Sequence, residues 1–241
     1  MSTFLSIIIP AHNEENRLPD TLEQVTGFLA KQTFASEIIV VENGSNDKTL
    51  EVAQTFATQH KNIRVIQSER GKGAAVKRGM LEAHGELRFM CDADLSMPVE
   101  EIVKFIPSSL ENFAIAIASR EAKGAVRYNE PSYRHLGGRG INFIIQALIL
   151  PGLNDTQCGF KCFRADVAQK IFSLQTLNGW SFDIELLYLA RKNKFRIAEI
   201  PIHWYHHPET KVSALRDAMQ MIQDIFRIHA NAWRGIYNET R

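Results

Sequence analysis

Near its start the sequence reads Phe4-Leu5-Ser6-Ile7-Ile8-Ile9-Pro10-Ala11-His12-Asn13-Glu14. The run from Phe4 to Ile9 is apolar and rich in isoleucine, which is typical of a strand buried on both faces. Pro10 has no backbone N–H for a sheet ladder, so we predict that it ends the strand and turns the chain outward. The group from Ala11 to Glu14 then lies at the carboxyl end of that strand.

Four more runs of this kind follow in the first half, and helical patterns separate them. The strand-like runs are Ile38–Val41, Ile63–Ile66, Leu87–Cys91 and Ala114–Ala118, and the helical patterns lie near Glu15–Ala30, Asp47–Gln59, Ala74–Ala83 and Val99–Leu110. Continuous apolar strands that alternate with helices predict an α/β fold with a mostly parallel central sheet flanked by helices. In such sheets, ligands bind at the carboxyl ends of the strands.

The second half has a less regular pattern. It predicts helices near Tyr133–Leu150, Ala165–Phe172 and Phe182–Arg191, short strands near Gly159–Phe163 and Arg196–His203, and a long amphipathic helix at the end. We expect the apolar stripe of this last helix to pack mostly on the core, and a bilayer surface is the alternative for it and for Ile141–Leu150. The stripe comprises Leu215, Met219, Ile222, Ile225 or Phe226, and Trp233, while Arg216, Gln220, Gln223, Arg227 and Arg234 face elsewhere.

The chain has 241 residues, enough for one domain or one and a half. Its 28 Lys and Arg residues nearly balance 27 Asp and Glu residues, so the overall charge does not favour nucleic acid as a partner. The segment from Arg120 to Arg139 departs from this balance, because its basic residues are opposed only by Glu121 and Glu130. A solvated loop and an anion-binding cluster are both compatible with that pattern.

Cysteine content and hydropathy bear on location. The three cysteines, Cys91, Cys158 and Cys162, predict buried free thiols in a reducing compartment. No signal-peptide pattern precedes the first strand, and no apolar run approaches the roughly 20 residues that span a bilayer. We therefore expect a cytoplasmic protein, or one attached to the cytoplasmic face of a membrane only at its surface.

Polar groups follow three of the predicted strands, and together they indicate a ligand site. They are Ala11–Glu14, Glu42–Ser45 and Asp92–Asp94. In Asp92-Ala93-Asp94 two carboxylates stand one residue apart at the end of a buried strand, which suits a divalent metal ion that carries a diphosphate. Because the three groups belong to one edge of the predicted sheet, each of them strengthens the interpretation of that edge as a ligand site.

The neighbouring residues allow more than one role. Asn13 and Glu14 suit the polar edge of a nucleoside base or a ribose, and Asn13 also fits as the N-cap of a helix that begins at Glu14. Glu42 suits a base N–H, whereas Asn43–Asp47 is typical of a tight turn with a cap. Arg70-Gly71-Lys72-Gly73 opens the third helix, where glycines let a ligand approach and the helix N-terminus attracts anions.

Four motifs in this order resemble glycosyltransferase family 2, whose members have the GT-A fold. They are Ile7-Ile8-Ile9-Pro10-Ala11-His12-Asn13-Glu14-Glu15, Val41-Glu42-Asn43-Gly44-Ser45, Arg70-Gly71-Lys72-Gly73-Ala74 and Asp92-Ala93-Asp94-Leu95-Ser96. In the second half, the sequence resembles the polyprenyl-phosphate branch, first the dolichyl-phosphate β-glucosyltransferases and next the mannosyltransferases. The motifs there are Ser119-Arg120, Tyr133-Arg134, Asp155-Thr156-Gln157-Cys158-Gly159-Phe160-Lys161 and Trp180-Ser181-Phe182-Asp183-Ile184-Glu185-Leu186-Leu187.

This resemblance implies roles for individual residues. Asp92 would lie near the sugar nucleotide, and Asp94 would bind Mg²⁺ or Mn²⁺, with Asp92 as a further metal ligand and Ser96 near the metal shell. Asp183 is the third catalytic candidate. The donor would contact Pro10, Ala11, Asn13, Glu14, Glu42, Gly71, Lys72 and Asp92. The acceptor phosphate would contact Arg120 and Arg134, with Arg139 and Lys211 as second candidates.

Two departures from the family pattern qualify the resemblance. Glu42-Asn43 stands where many members have two aspartates, and the hydrophobic anchor of many relatives has no counterpart here.

A phosphate acceptor, with a second pKa of about 6, needs no strong general base. A hydroxyl acceptor would need one, for which Asp183 and Glu185 are candidates. Being two apart on a predicted helix, at most one of them is expected to point into the site.

The combined prediction is a single GT-A domain over residues 1–241, with a nucleotide-sugar half at 1–120 and an acceptor half at 121–241. We expect an inverting, metal-dependent transfer of a hexose, with glucose from UDP-glucose as the leading donor, to a polyprenyl (dolichyl or undecaprenyl) phosphate. A GDP-mannose-dependent mannosyltransferase and transfer to a hydroxyl in polysaccharide synthesis are the alternatives among enzymes. A nucleotide-sugar binding module without turnover is the alternative outside them.

Overall fold

The computed structural model of the protein describes residues 2–106, 113–206 and 214–238, with the backbone alone at 214–217. The elements in chain order are β1 (Leu5–Ala11), α1 (Leu18–Leu29), β2 (Ser36–Glu42), α2 (Thr49–Gln59), β3 (Ile63–Gln67), α3 (Lys72–Glu82), β4 (Leu87–Met90), a 3₁₀ helix (Val99–Phe105), β5 (Ile115–Ser119), β6 (Val126–Tyr128), α4 (Ser132–Leu148), β7 (Lys161–Arg164), α5 (Ala165–Leu174), α6 (Phe182–Lys192), β8 (Ile197–Pro201), β9 (His203–Tyr205) and α7 (Ala214–Trp233).

Seven strands form the central sheet in the order β3-β2-β1-β4-β7-β5-β8. Strand β7 is antiparallel to both of its neighbours, and every other pair in this sheet is parallel. β6 and β9 pair in parallel as a separate ribbon. The predicted α/β fold with a mostly parallel sheet and flanking helices is confirmed.

Alternation along the strands divides the core into two layers. Ile8 packs with α3, α5 and α6 in one cluster, whereas Ile7 and Ile9 pack with α1 and the 3₁₀ helix in the other. Successive side chains of a strand point to opposite faces, so an unbroken apolar run is required when both faces are covered. The isoleucine run of β1 meets this requirement, and all three of these isoleucines are fully buried.

The prediction for Pro10 is wrong, because β1 continues through it to Ala11. Pro10 pairs with Val41 of β2. On the other side, β4 pairs with β1 only as far as Ile8. A residue without an N–H is tolerated at Pro10 because the ladder to β4 has already ended.

Several element boundaries also differ from the predictions. Helix α1 begins at Leu18 with Pro19 in its first turn, so the N-cap role for Asn13 is wrong. The pattern from Val99 forms a 3₁₀ helix that ends at Phe105, and residues 107–110 of that prediction lie outside the described residues. The strand predicted near Arg196–His203 divides into β8 and β9, with Ile202 between them.

Helix α7 packs on the core along a face that coincides only in part with the predicted stripe. Its buried apolar residues are Met221, Ile225 and Ile228. Phe226 and Trp233 are 63% and 88% exposed, and Met219 is 54% exposed. Of the predicted stripe, Ile225 packs on the core and Ile222 is half-buried, whereas the side chain of Leu215 lies outside the described residues. The expected packing on the core is therefore confirmed at Ile225 and wrong at the three exposed positions. In the part of the chain that the structure describes, no helix has the length and apolar character needed to cross a bilayer.

Candidate active site

The loops after β1, β2 and β4 meet at one edge of the sheet. The backbone N–H of Asn13 donates to Ser45 Oγ (3.1 Å), and Asn13 Oδ1 accepts from the backbone of Asn46 (2.8 Å). Thr21 Oγ1 of α1 donates to the carbonyl of Ala93 (2.7 Å), which fixes the loop after β4. The structure thus brings together the three polar groups that the sequence places at strand ends.

Glu42 closes the turn after β2. Its carboxylate accepts from the backbone of Ser45 (2.5 Å) and from Gln67 Nε2 (3.0 Å). Burial raises the pKa of Glu42, but the hydrogen bonds from Gln67 and Ser45 outweigh it and leave the pKa below its ordinary value. Both oxygens of this predicted donor-binding residue therefore already have partners within the fold.

Asp92 and Lys72 form an ion pair between the end of β4 and the start of α3. Lys72 Nζ lies 2.7 Å from Asp92 Oδ1, and Gly71 precedes the helix with φ of 130°. Burial lowers the pKa of Lys72, but the charges of Asp92 and Asp183 outweigh it and raise the pKa above its ordinary value. An ammonium group is therefore held beside the carboxylate pair, at a helix N-terminus that favours anions.

Gly159 lets a second loop approach the same carboxylate. A Cβ at Gly159 would overlap the Asp92 carboxylate, so only a residue without a side chain fits there. The loop before β7 thus limits where the carboxylate of Asp92 can lie. The sequence places Gly159 within a family-like motif, but its contact with Asp92 emerges only from the fold.

Asp94 lies in a tight turn beyond Asp92. Its Oδ1 accepts the backbone N–H of Ser96 (3.0 Å), and Leu95 between them has a φ of 42°. No cluster of three or more His, Cys, Asp or Glu side chains suitable for a metal ion occurs among the described residues. Mg²⁺ and Mn²⁺ need only one or two carboxylates when substrate phosphates complete the shell. The half-buried pair of Asp92 and Asp94 fits that kind of site.

A second buried ion pair underlies the site. Lys161 Nζ of β7 lies 2.8 Å from Asp183 Oδ1 of α6 and donates to the carbonyl of Cys158 (2.6 Å). Burial raises the pKa of Asp183, and the charges of Lys161 and Lys72 offset only part of that effect. Asp183 was predicted as a catalytic candidate and Lys161 belongs to one of the family-like motifs, but the sequence gives no indication that the two side chains pair.

Arg120 is bound to Asp155. Its guanidinium donates to both carboxylate oxygens (2.6 and 2.9 Å), and its backbone N–H donates to one of them (3.0 Å). Asp155 is fully buried, and the Arg120 guanidinium lies 5.5 Å from the ring centroid of Trp204. The planar edge that would bind a phosphate therefore has a carboxylate partner, and the acceptor role of Arg120 stays a prediction.

The other basic residues of this segment differ in their surroundings. Arg127 forms ion pairs with Glu121 and Glu130, so these acids do counter part of the charge. Arg134 and Arg139 lie on α4, and within the described ranges neither has an ion-pair partner. Lys211 lies outside the described residues. Of the predicted phosphate ligands, Arg134 and Arg139 thus have the guanidinium groups that are not bound to a carboxylate in the described part of the chain.

Asp183 and Glu185 point to different surroundings on α6. Asp183 lies beside Lys161, whereas Glu185 is fully buried and accepts from Thr176, Leu177 and Tyr237. The loop that includes Thr176 and Leu177 continues to Trp180, whose half-exposed ring lies 5.1 Å from Lys72 Nζ. The sequence gives no indication that Trp180 contacts the Gly-rich turn.

The cysteines lie near this edge but carry no obvious chemistry. Cys91, Cys158 and Cys162 are free and buried, which confirms the predicted thiols. Burial raises the pKa of Cys158 to about 11 and that of Cys162 to about 12, so both remain protonated at neutral pH.

Comparison with known proteins agrees with the architecture of the chain. Residues 6–172 match the family described as Glycosyl transferase family 2, and the chain belongs to that family. It is a glycosyltransferase with the GT-A fold.

Among its relatives is the dolichyl-phosphate beta-glucosyltransferase of Dictyostelium discoideum, with 33% identity over 97% of this chain and 76% of the relative. The Homo sapiens dolichyl-phosphate beta-glucosyltransferase is likewise 33% identical, over 95% of this chain and 77% of the relative. Glucosyl-3-phosphoglycerate synthase from Mycobacterium tuberculosis, in complex with UDP, has a TM-score of 0.70 at 18% identity over 95% of this chain and 80% of that chain. That likeness concerns the fold.

Proposed function

We propose that the protein transfers glucose from UDP-glucose to a polyprenyl phosphate, with inversion and with Mg²⁺ or Mn²⁺. The observation that carries the proposal is the site itself, where Asp92 and Asp94 adjoin Lys72 at a glycine-rich helix start. The choice of glucose and of a polyprenyl phosphate is supported by the dolichyl-phosphate beta-glucosyltransferases that resemble nearly the whole chain. Residues 1–120 would bind the donor and residues 121–241 the acceptor, within one domain.

The donor diphosphate would lie between Asp94 and the first turn of α3. Asp92 and Asp94 would hold the divalent cation, which when bound offsets the negative charge of the diphosphate. Lys72 and the amides after Gly71 would bind the phosphate oxygens. Asn13 and Glu14, in the loop after β1, would contact the nucleoside with Pro10 and Ala11, and Glu42 would order the neighbouring turn.

The acceptor phosphate would approach from α4, where Arg134 and Arg139 lie. A phosphate oxygen attacks the anomeric carbon of glucose, the bond from that carbon to the diphosphate breaks, and UDP leaves with the bonding electrons. The attacking oxygen is already ionised at neutral pH, because the second pKa of a phosphate monoester is about 6. Asp183 then needs no proton-accepting role, and its ion pair with Lys161 suits the positioning of charge beside Lys72.

A membrane surface is the expected location of such an acceptor. Helix α7 exposes Met219, Phe226 and Trp233 at spacings of seven residues, with Arg227 and Arg234 beside them. An apolar stripe flanked by arginines is typical of helices that lie in the interface of an anionic bilayer. We propose that α7 docks on the cytoplasmic face of a membrane and so brings the site to the lipid phosphate.

The test is release of nucleoside diphosphate. The purified protein is mixed with Mn²⁺, a short-chain polyprenyl phosphate, and either UDP-glucose or GDP-mannose. We expect UDP release that depends on the acceptor and formation of glucosyl phospholipid. Release of GDP from GDP-mannose, with no release of UDP from UDP-glucose, would show that GDP-mannose is the donor. Release that depends on a polyol instead of the polyprenyl phosphate would show that the acceptor is a hydroxyl group. Donor binding without release from any donor would contradict the enzymatic function.

A matched pair of variants links turnover to the carboxylates. Asp94→Asn keeps the shape of the side chain and removes its charge, so turnover should fall by about 10² or more. Asp166→Asn makes the same change at an exposed aspartate that pairs with Arg164 away from the site, and turnover should stay at the wild-type level.

A further inference from the structure

The loop from Gln175 to Asn178 packs directly on the donor-side turn. The backbone N–H of Ala74 donates to the carbonyl of Asn178 (3.3 Å), and Gln175 Nε2 donates to the carbonyl of Gly73 (2.9 Å). A Cβ at Gly71 would overlap the carbonyl of Asn178. The conformation of the turn that carries Lys72 therefore depends on where this loop lies.

A single carboxylate holds the loop in place. Glu185 is fully buried on α6, and its oxygens accept from the backbone of Thr176 (3.1 and 3.0 Å), from Thr176 Oγ1 (2.6 Å) and from the backbone of Leu177 (2.8 Å). A buried carboxylate that receives this many N–H and O–H donors is strongly fixed, because leaving any of them unpaired is costly. Its oxygens are turned to the loop and away from solvent.

The last turns of α7 and the chain after it join the same network. The hydroxyl of Tyr237 donates to Glu185 Oε1 (2.6 Å), and Asn231 Nδ2 donates to Thr176 Oγ1 (3.0 Å). Burial raises the pKa of Tyr237 and the adjacent Glu185 adds to the rise, so the phenol stays protonated and able to donate. The end of α7 is thus linked to the Gly71–Gly73 turn through Glu185 and the Thr176–Asn178 loop.

We propose that Glu185 is a positioning residue for the sugar-nucleotide donor, and that Tyr237 extends this role to the C-terminal segment. Glu185 acts through Thr176 and Leu177, which set the turn where the donor diphosphate binds. The inference rests on the proposed function, because it takes that turn as the phosphate site. It excludes Glu185 as a general base, since the carboxylate is enclosed by loop donors and has no contact with the donor side of the turn.

The test separates donor binding from turnover. Glu185→Gln preserves size but turns an NH₂ group toward N–H and O–H donors, so the loop loses at least one hydrogen bond. We expect the KM for UDP-glucose and the Kd of UDP to rise about tenfold, the weight of one well-made buried hydrogen bond. The kcat at saturating donor and the KM for the acceptor should change less than about threefold, which corresponds to the lower end of a hydrogen bond's net contribution. Tyr237→Phe should give a smaller rise of the same kind.

The control variant replaces an exposed glutamate outside this network. Glu82→Gln, on the exposed surface of α3, should leave all of these constants unchanged. A lower melting temperature with unchanged UDP affinity in both Glu185→Gln and Tyr237→Phe would overturn the inference, because the network would then be structural only. Loss of kcat and of one limb of the pH profile with normal UDP affinity would instead make Glu185 a base. If wild-type protein binds UDP but releases none, the proposed function fails, while the binding measurements still decide this inference.

Discussion

Arg120 and Asp155 show how one residue pair can decide local stability. Arg120→Ala removes the guanidinium that neutralises the fully buried Asp155. We expect a loss of about 3–5 kcal/mol in the free energy of unfolding, measured by urea denaturation at pH 7. Arg164→Ala removes an exposed arginine from its pair with Asp166 and should cost less than about 1 kcal/mol. Equal losses in the two variants would contradict the expected dependence on burial.

The same pair predicts that stability depends on pH differently in the wild type and in Arg120→Ala. Burial raises the pKa of Asp155, but the charge of Arg120 outweighs it and leaves the pKa below its ordinary value. In the wild type this contribution is present above the unfolded pKa of about 4 and is lost as the pH falls through the lower folded pKa. Arg120→Ala removes the largest effect that opposes burial and leaves only the backbone N–H at position 120 and the charge of Lys161 to lower the folded pKa. Acidification through that range should therefore cost Arg120→Ala less stability than it costs the wild type. Parallel pH profiles of the two proteins would refute this.

Gly159 is a second residue with a large expected effect. Gly159→Ala adds a Cβ that overlaps the Asp92 carboxylate, which must move away from Lys72. A displacement of about 1 Å at a reacting centre costs on the order of 10² in turnover, so we expect kcat to fall by that factor. Gly27→Ala, on α1 with open space around it, should keep full activity and gain up to about 1 kcal/mol of stability. Normal activity in Gly159→Ala would show that the position of Asp92 is uncritical.

At the scale of elements, α7 makes the next prediction. Replacing exposed Phe226 and Trp233 with serine should reduce co-sedimentation with vesicles that contain anionic lipid by about tenfold or more, since each side chain loses roughly 1.5–3 kcal/mol of apolar burial. Activity toward a short acceptor in detergent should remain. Val103→Ser, at a half-exposed position of the 3₁₀ helix, is the control. Unchanged vesicle binding in the double variant would contradict docking through α7.

Helix α7 and strand β6 also show where sequence patterns fail. The period of α7 was readable, but Met219, Phe226 and Trp233 lie on one face and Met221, Ile225 and Ile228 on another. Both faces are apolar, so periodicity alone could not decide which one packs on α6. β6 is three residues long and pairs only with β9, more than 70 residues away in the sequence. β6 is a strand because it pairs with that distant partner, and no local sequence pattern predicts it.

For the whole molecule, the sheet and the site edge were the most predictable features. Long apolar runs specify buried strands, and parallel strands place their carboxyl ends together, so Asn13, Glu42 and Asp92 were expected to be neighbours. The pairs of Lys72 with Asp92, Lys161 with Asp183, and Arg120 with Asp155 were not predicted. Such pairs depend on side-chain directions from separate elements, which a single sequence does not encode locally.

Ligand binding should stabilise the molecule as a unit. A ligand that binds only the folded state adds about 2.7 kcal/mol at a hundredfold excess over its Kd. UDP with Mn²⁺ should therefore raise the melting temperature by several degrees, measured by calorimetry, and UDP with EDTA should raise it less. Asp94→Asn should remove the difference between the two conditions, and Asp166→Asn should retain it. An equal rise with Mn²⁺ and with EDTA in the wild type would argue against a metal-assisted donor site.

Strand β7 has a consequence for how the chain is made. It lies between β4 and β5, so residues from the second half complete a sheet begun by the first. During synthesis, β4 keeps an unpaired edge until residue 164 has left the ribosome, and an exposed edge invites pairing with other chains. A chain cut after residue 120 would keep that edge open permanently. We therefore expect the proposed donor and acceptor halves to be inseparable as folding units, and the nascent chain to be most prone to aggregation before β7 emerges.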